Sequence, residues 1–370
     1  MKKLLPEVCT IQYGFPFDSA KFSDSDGMPL IRIRDVVRGY SETYTTEEYK
    51  SEYIVHENDL LIGMDGEFNI AKWGKTPALL NQRVCRLAPK DSIDKDYLFY
   101  FMPVALKRIE EKTPFVTVKH LSAKELNKIE IPVLSLEGQR KIAETLSKVD
   151  ELIAFRDQQL AKLDELVKAR FVEMFGDPVK NTMDWEIKPL SELGELNRGV
   201  SKARPRNSPE LLGGPYPLIQ TGEVANAKTY ITSFNSTYSE KGLAQSKMWP
   251  KGTLCITIAA NIAQTSILTF DACFPDSVVG FISRNMTNEL FIHYWFSFFQ
   301  KILDEQAPQV AQKNINLKIL SELNVIVPPL ALQNRFADFV ERVDKQKQTV
   351  QQSLDKLELM KKALMQEYFG

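Results

Sequence analysis

The chain has 370 residues, 44% of them hydrophobic and 26% charged, with a formal net charge of −1. This length suits two ordinary globular domains, and the near-zero charge argues against a polycation that coats nucleic acid by charge alone. The longest apolar run, residues 290–299, is shorter than the roughly 18–20 residues that span a membrane, and the N-terminus lacks a signal-peptide pattern, so we expect a cytoplasmic protein with no membrane partner.

Residues 1–130 have the mixed pattern of a small α+β domain. Short β-like runs at 29–37, 59–64 and 81–87 are separated by turn signals, and residues 96–112 have a helical pattern. Residues 63–68, with two acids between glycine and phenylalanine, are typical of a turn. The two acids could also suggest a metal site or a base-reading loop, because carboxylates accept hydrogen bonds from cytosine N4.

Residues 131–180 contain a long helix with a coiled-coil pattern. Apolar residues at alternating spacings of four and three fill eight of ten seam positions, and Arg156 and Arg170 fill the others. The seam residues include Ile142, Leu146, Val149, Leu160 and Leu163. A helix of roughly 35 residues is about 50 Å long, which exceeds the roughly 34 Å turn of B-DNA and could hold two DNA-reading modules on one duplex.

The second half of the chain follows the same order. Residues 181–325 contain β-like runs at 252–259 and 277–282 and a helical pattern at 288–306. Residues 326–370 contain a second heptad helix, interrupted at the seam by Lys347 and Lys361. Its seam residues include Phe336, Val340, Val343, Leu354 and Leu357.

The two halves form an internal repeat. At an offset of 194 positions, residues 113–176 align with 307–370 without a gap, and about 20 of the 64 pairs are identical, including Gln139 with Gln333 and Lys119 with Lys313. The repeat predicts a pseudo-two-fold α+β protein with two divergent heads, each followed by a better preserved long helix. Heads that diverge on a shared scaffold suggest that they recognise different things.

With these features the chain resembles the specificity subunits of type I restriction–modification systems. The resemblance rests on the two helix starts, IPVLSLEGQRKIAETLSKVD at 131–150 and VIVPPLALQNRFADFVERVD at 325–344, on the segments before them, and on the strands LLNQRVCRL and FPDSVVGFI of the heads. It covers essentially the whole chain.

The resemblance implies an architecture of two target-recognition domains joined by two long helices that form an antiparallel coiled coil. The expected divisions are target-recognition domain 1 at 1–130, helical spacer region 1 at 131–180, target-recognition domain 2 at 181–325 and helical spacer region 2 at 326–370. It also implies that two modification subunits bind the helices and that restriction subunits add ATP-dependent cleavage. S-adenosylmethionine, ATP and Mg²⁺ are then expected in those partners and not in this chain.

No catalytic or metal-binding motif is evident in the sequence. An adenine methyltransferase would need an Asn-Pro-Pro-aromatic loop, and the one double proline, Pro328-Pro329, lacks both flanking residues. Gly74-Lys75-Thr76 lacks the upstream glycine of a phosphate-binding loop. The three histidines have no ligand spacing, so we expect satisfied or surface residues. The four cysteines have no CxxC spacing, which favours buried free thiols.

Duplex recognition requires cations and small polar groups at phosphates, and Arg, Asn, Gln or acids at base edges. Candidates in the first head are Arg32, Arg34, Arg38, Asn69, Lys72, Lys75, Gln82 and Lys119. Candidates in the second head are Arg198, Lys202, Arg204, Arg206, Asn261, Gln264, Lys313 and Asn316. The segment 198–206 carries four of these cations and no acid, which favours phosphate contact.

The sequence therefore predicts a non-catalytic subunit that recognises double-stranded DNA, each head reading one half of an asymmetric bipartite target while the helices set the spacing. A polar outer helix face would leave room for partner subunits. Two alternatives remain: a coiled-coil adaptor whose heads bind proteins, and a recognition module split from a single-chain restriction enzyme.

Overall fold

The computed structural model describes residues 1–112, 119–259, 262–298 and 315–370. These residues form two compact units. The first unit contains residues 1–157 together with 352–370, and the second contains residues 158–351. Each long helix therefore contributes one part of its length to each unit.

The first unit begins with a β–α–β segment and ends in the long helices. Its strands are β1 (Lys2–Leu4), β2 (Cys9–Tyr13), β3 (Phe22–Ser23), β4 (Met28–Ile31), β5 (Tyr44–Thr45), β6 (Ile54–Val55), β7 (Leu60–Gly63), β8 (Ile70–Lys72), β9 (Ala78–Leu80), β10 (Val84–Pro89) and β11 (Glu130–Pro132). Its helices are α1 (Leu5–Val8), α2 (Ile33–Arg38), α3 (Lys95–Lys112), α4 (Ala123–Leu126) and α5 (Leu136–Phe175), which continues into the second unit.

The second unit repeats this order. Its strands are β12 (Glu186–Pro189), β13 (Gly194–Arg198), β14 (Leu212–Leu218), β15 (Tyr230–Ile231), β16 (Ser236–Tyr238), β17 (Met248–Trp249), β18 (Leu254–Thr257), β19 (Thr265–Leu268), β20 (Ala272–Cys273), β21 (Val278–Ser283) and β22 (Asn324–Val327). Its helices are α6 (Leu190–Leu193), α7 (Thr221–Asn226), α8 (Glu240–Ala244), α9 (Glu289–Phe296), α10 (Leu317–Glu322) and α11 (Leu330–Phe369), which ends in the first unit.

The two heads share their sheet topology. In the first head the antiparallel order β2-β10-β7-β8 forms one sheet, β4 pairs with β9 in parallel, and β1 pairs with β11. In the second head the order β13-β21-β18-β19 is the equivalent sheet, extended by β15, while β14 pairs with β20 in parallel and β12 with β22. The predicted α+β class and the two-fold repeat are therefore confirmed.

The β-like run predicted at 29–37 is partly wrong, because its second half is the helix α2. The carboxylate of Asp35 accepts a hydrogen bond from the backbone N–H of Arg32 at 2.8 Å, which caps the helix start. Gly39, with φ of 73°, ends the helix in the left-handed conformation. In the second head Glu223 caps α7 in the same way, through Gln220 N–H at 3.1 Å.

Each unit has its own apolar core. In the first unit Tyr97, Leu98 and Phe101 of α3 pack with Leu146 of α5 and Phe369 of α11. In the second unit the core is rich in aromatic rings from α5, α9 and α11. These rings are Phe171, Phe175, Phe291, Tyr294, Trp295, Phe296 and Phe336. A buried ring contributes about 1.5–3 kcal/mol, so each head is firmly attached to its helix segments.

Within each unit the two helix segments run antiparallel. In the first unit Asp150 lies 2.5 Å from Lys361 Nζ, and Arg156 Nε donates to Ser353 Oγ at 3.2 Å. In the second unit Lys347 Nζ lies 2.6 Å from Asp164. Residue numbers rise along α5 while those of its partners in α11 fall, which is the antiparallel arrangement that the family resemblance implied.

The predicted seam residues face inward to different degrees. Seven are buried: Leu146, Val149, Leu160, Phe336, Val340, Val343 and Leu354. Ile142, Leu163 and Leu357 are partly buried. The outer face is less polar than we expected, because Leu152, Phe155 and Leu359 are 45%, 59% and 69% exposed.

All four cysteines are free and buried, as predicted. Burial raises the pKa of the Cys9 and Cys85 thiols to about 12, so both stay protonated and unreactive at neutral pH.

Candidate nucleic-acid interface

Three chain segments of the first head meet at the end of its main sheet. The loop that joins β7 to β8, the turn before β10 and the segment before α4 are linked by backbone hydrogen bonds. Met64 N donates to Arg83 O at 2.9 Å, Leu121 N donates to Met64 O at 2.7 Å, and Gly66 N donates to Lys119 O at 2.9 Å. We call residues 64–69, 81–83 and 119–121 the first loop edge.

The first loop edge contains a carboxylate, an imidazole and a guanidinium in contact. Asp65 Oδ1 lies 2.5 Å from His120 Nδ1, and Asp65 Oδ2 lies 3.6 Å from Arg83 Nε. Sequence reasoning considered Asp65 only within a loop, treated His120 as a surface residue and did not select Arg83. No local pattern identifies this group, because its members are separated by 18 and 37 positions and meet only through the fold.

Some predicted residues of the first head lie at this edge. Gln82 is exposed in the turn, and Arg32 is exposed at the start of α2, close to the end of β7. Asn69 Nδ2 donates to Glu67 O at 3.2 Å, while its buried Oδ1 has no partner among the described residues. Lys119 Nζ donates to Glu110 O and Oε1 at 3.0 and 3.3 Å, so it also ties the edge to α3.

Other predicted residues of the first head lie away from the first loop edge. In the antiparallel pair β7–β8, Ile62 pairs with Ile70 beside the loop, and Leu60 pairs with Lys72 at the opposite end. There Lys72 Nζ lies 2.9 Å from Asp96 and 5.0 Å from the Phe99 ring centroid. Lys75 is exposed near that end, and Arg38 lies 3.7 Å from Glu42. Arg34, the second residue of α2, lies 3.7 Å from its neighbour Asp35.

The second head has an equivalent edge. Ile258 N donates to Ser277 O at 3.0 Å, which repeats the bond between Met64 and Arg83 at an offset of 194 positions. Gly199 N donates to Val278 O at 2.8 Å, as Gly14 N does to Val84 O at 3.0 Å. A Cβ on Gly199 would lie 2.3 Å from Phe274 O, so only glycine permits this close approach. We call residues 258–259, 262–264 and 275–277 the second loop edge.

The predicted basic segment 198–206 reaches the second loop edge. Arg206 Nη2 donates to both carboxylate oxygens of Asp276 at 2.6 and 3.0 Å, and Arg204 Nη2 lies 3.9 Å from the same carboxylate. The segment 198–206 contains no acidic residue, but the fold brings Asp276 into contact with it. Arg204 and Arg206 thus share one carboxylate, and the other two cations of the segment, Arg198 and Lys202, are exposed.

The remaining candidates of the second head are dispersed. Arg198, Lys202 and Gln264 are exposed, and Gln264 N donates to Thr257 Oγ1 at 3.1 Å. Asn316 is exposed, but its Oδ1 accepts from Ile319 N at 3.0 Å and so caps α10. Asn261 and Lys313 lie outside the described residues.

A polar cluster also lies in the second unit, beside a cavity of about 540 Å³ between the head and the helix segments. Lys347, only 9% exposed, bonds Asp164 and lies 3.4 Å from Asp344. Burial and the nearby Lys347 lower the pKa of His293 to about 4. His293 is therefore neutral at pH 7, with Nδ1 2.9 Å from Thr265 Oγ1, and it is not a cation for DNA.

Comparison with known proteins decides the family. The type I restriction modification DNA specificity domain matches residues 1–165 and, a second time, residues 182–359. The chain belongs to this family. The resemblance noted from the sequence is confirmed. Membership in a family of DNA specificity subunits favours DNA recognition over the alternative of an adaptor whose heads bind proteins. The family also agrees with the prediction that this chain is a non-catalytic subunit that recognises DNA.

Relatives of this type I specificity chain extend over most of its length. The type I restriction enzyme EcoBI specificity subunit of Escherichia coli is 28% identical over 376 residues, covering 92% of this chain and 78% of the relative. A putative type I restriction enzyme specificity subunit of Methanocaldococcus jannaschii, MjaX, is 23% identical and covers 92% and 86%.

A solved structure has the same fold. The S subunit of a type I restriction–modification system from M. genitalium gives a TM-score of 0.61 at 16% identity, covering 100% of this chain and 96% of that chain. Among the described residues of this specificity chain, no helix is long and apolar enough to cross a membrane.

Proposed function

We propose that the two heads of this specificity subunit read the two halves of an asymmetric bipartite DNA target and that the long helices set the distance between the halves. The observation that carries the proposal is the difference between the loop edges. Both edges are built on the same sheet order and the same backbone hydrogen bonds, but one presents Asp65, Arg83 and His120 and the other Asp276, Arg204 and Arg206. A shared scaffold with different polar groups supports different half-sites.

The helices offer a surface for modification subunits. Leu152, Phe155 and Leu359 are exposed. All three belong to the first unit and lie along the helices between the Asp150–Lys361 contact and the Arg156–Ser353 contact. Large exposed apolar side chains mark protein interaction sites when they are grouped. Because the repeat provides two related helical regions, we propose two modification subunits.

The chemistry of the complex then resides in its partners. S-adenosylmethionine would bind the modification subunits, and ATP and Mg²⁺ the restriction subunits, in the cytoplasm where the DNA lies. This chain contributes recognition and position, and the sequence offers no phosphate-binding loop or methyltransferase loop that would assign it more.

Mapping of methylated adenines at base resolution tests the proposal. The chain would be co-expressed with the modification subunit from its own locus, and the control would be that subunit alone. We expect a split, asymmetric motif that appears only with this chain. A modification subunit that is active but whose methylation pattern does not depend on this chain would overturn the proposal.

A further inference from the structure

We infer that Asp65, Arg83 and His120 form a base-reading group in which Arg83 contacts a guanine of the half-site read by the first head. This inference rests on the proposed function and assigns residues to it. The group lies on the first loop edge, where Arg83 and His120 are 52% and 48% exposed and Asp65 is 22% exposed.

The backbone holds this group in one arrangement. Asp65 and His120 form an isolated antiparallel bridge, and Arg83 O accepts from Met64 N at 2.9 Å. Arg83 has φ of 76°, a left-handed conformation that is uncommon for a residue with a long side chain. Such conformations concentrate at functional sites, where the surrounding structure maintains them.

The hydrogen bonds within this group leave N–H donors of the Arg83 guanidinium available to a base. At 2.5 Å, Asp65 Oδ1 and His120 Nδ1 must share a proton, so Nδ1 is the donor to the carboxylate. Arg83 Nη1 lies 3.3 Å from Nδ1, and because both carry protons this is a contact and not a hydrogen bond. Asp65 thus positions both side chains, while the guanidinium retains donors that can face outward.

The carboxylate favours a base over a phosphate as the ligand. A phosphate at Arg83 would lie close to the negative charge of Asp65, and like charges repel. At the second loop edge two arginines, Arg204 and Arg206, share the one carboxylate of Asp276, so a positive charge remains there for a phosphate. A guanine edge carries no net charge and presents O6 and N7, two acceptors that match the paired N–H groups of an arginine. An arginine oriented by a carboxylate is therefore suited to guanine.

The second head lacks this group. At the offset of 194 positions Asp65 corresponds to Ala259 and Arg83 to Ser277. The inference is accordingly limited to one half of the target.

The test uses the assembled methyltransferase complex and a library of duplexes randomised across the target, with bound sequences counted. Arg83→Ala and Asp65→Asn are compared with wild type, and Lys50→Ala, an exposed residue of the same head outside the edge, is the matched control. We expect Arg83→Ala to lose preference for one G·C pair in one half-site by roughly 5- to 150-fold, with the other half unchanged. Asp65→Asn should weaken the same preference to a smaller extent.

The outcomes distinguish failure of the Arg83–guanine contact from failure of the proposed function. Unchanged base preferences in Arg83→Ala, or an equal loss across all sequences with a flatter salt dependence, would overturn the guanine contact and indicate a silent residue or a phosphate contact. Arg83→Lys, which keeps the charge and loses the paired donors, should also lose the preference if the complex still binds. A wild-type complex that selects no split motif would overturn the proposed function as well.

Discussion

The glutamine shared by the two repeats has the same role in both units. Gln139 and Gln333 are completely buried. Gln139 Oε1 accepts from Asp94 N at 2.7 Å, and its Nε2 donates to Leu134 O at 2.9 Å. Gln333 Oε1 accepts from Asn288 N at 3.1 Å, and its Nε2 donates to Pro328 O at 2.8 Å. Each side chain joins the start of a long helix to the residue just before a helix of the head, α3 in the first unit and α9 in the second.

Replacement of this glutamine should destabilise its unit strongly. Gln333→Leu is similar in size but leaves Asn288 N, Thr287 Oγ1 and the carbonyls of Met286 and Pro328 without their buried partner. We expect a loss of about 2–4 kcal/mol in the free energy of unfolding. Urea denaturation measures it, and Gln346→Leu, at an exposed position of the same helix, should change stability by less than about 0.5 kcal/mol.

A loss equal to that of the control would mean that Gln333 is not needed to join the helix to the head. Because the glutamine is repeated, Gln139→Leu should have a similar effect on the first unit.

Arg204, Arg206 and the neighbouring Asp276 should have opposite effects on DNA binding. Replacement of both arginines by alanine should weaken binding to every duplex sequence and reduce the slope of log affinity against log salt by about 1–2, because each phosphate contact contributes roughly 0.9. Asp276→Asn should do the opposite, since it removes the acid that lies 2.6 Å from Arg206. Binding titrations from low to high salt measure both, and an unchanged slope in the double variant would remove these arginines from the contact surface.

The long helices are the elements that sequence periodicity describes best. Heptad spacing predicted one long helix within 131–180 and another within 326–370, and the helices span Leu136–Phe175 and Leu330–Phe369. The charged exceptions at the seam also have partners. Lys347 bonds Asp164 and Lys361 bonds Asp150, each across to the other helix. Partly buried pairs of this kind contribute more to the choice of register than to stability.

The exposed apolar residues of the helices should bind the modification subunit. Phe155→Glu with Leu359→Glu introduces two charges where burial against a partner is proposed, and we expect at least a tenfold weaker association. Gln352→Glu, at an exposed polar position of the same unit, is the control and should bind normally. Association measured between purified subunits distinguishes the two, and equal affinity for all three proteins would place the interface elsewhere.

Short elements in the heads were harder to predict from sequence. The run at 29–37 is rich in β-branched residues, yet the side-chain cap from Asp35 makes its second half helical. The strand β9 and its parallel partner β4 are separated by 49 positions between Leu30 and Leu79, and no local pattern specifies such a pairing. Propensity describes residues locally, while strand pairing depends on tertiary packing.

At the scale of the whole molecule, the repeat predicted the architecture and left the site open. Twofold order and helix positions could be obtained by aligning residues 113–176 with residues 307–370, and the family from the two helix starts together with the strands of the heads. The candidate interface could not, because Asp65, Arg83 and His120 come from three separate segments. The sequence also does not show which cations form ion pairs in the fold. Lys72 pairs with Asp96, and Lys119 pairs with Glu110.

The central claim is that each head reads one half-site independently, and exchange of the first head tests it most directly. Since β1 pairs with β11, which extends to Pro132, the exchanged segment should run through Val133 so that both strands come from one parent. Residues 134–370 remain, and methylated adenines are mapped at base resolution with the same modification subunit.

We expect one half of the split motif to change to the sequence of the donor head, while the other half and the distance between the methylated adenines stay constant. Alteration of both halves, or a motif identical to that of the parent, would contradict independent reading by the two heads.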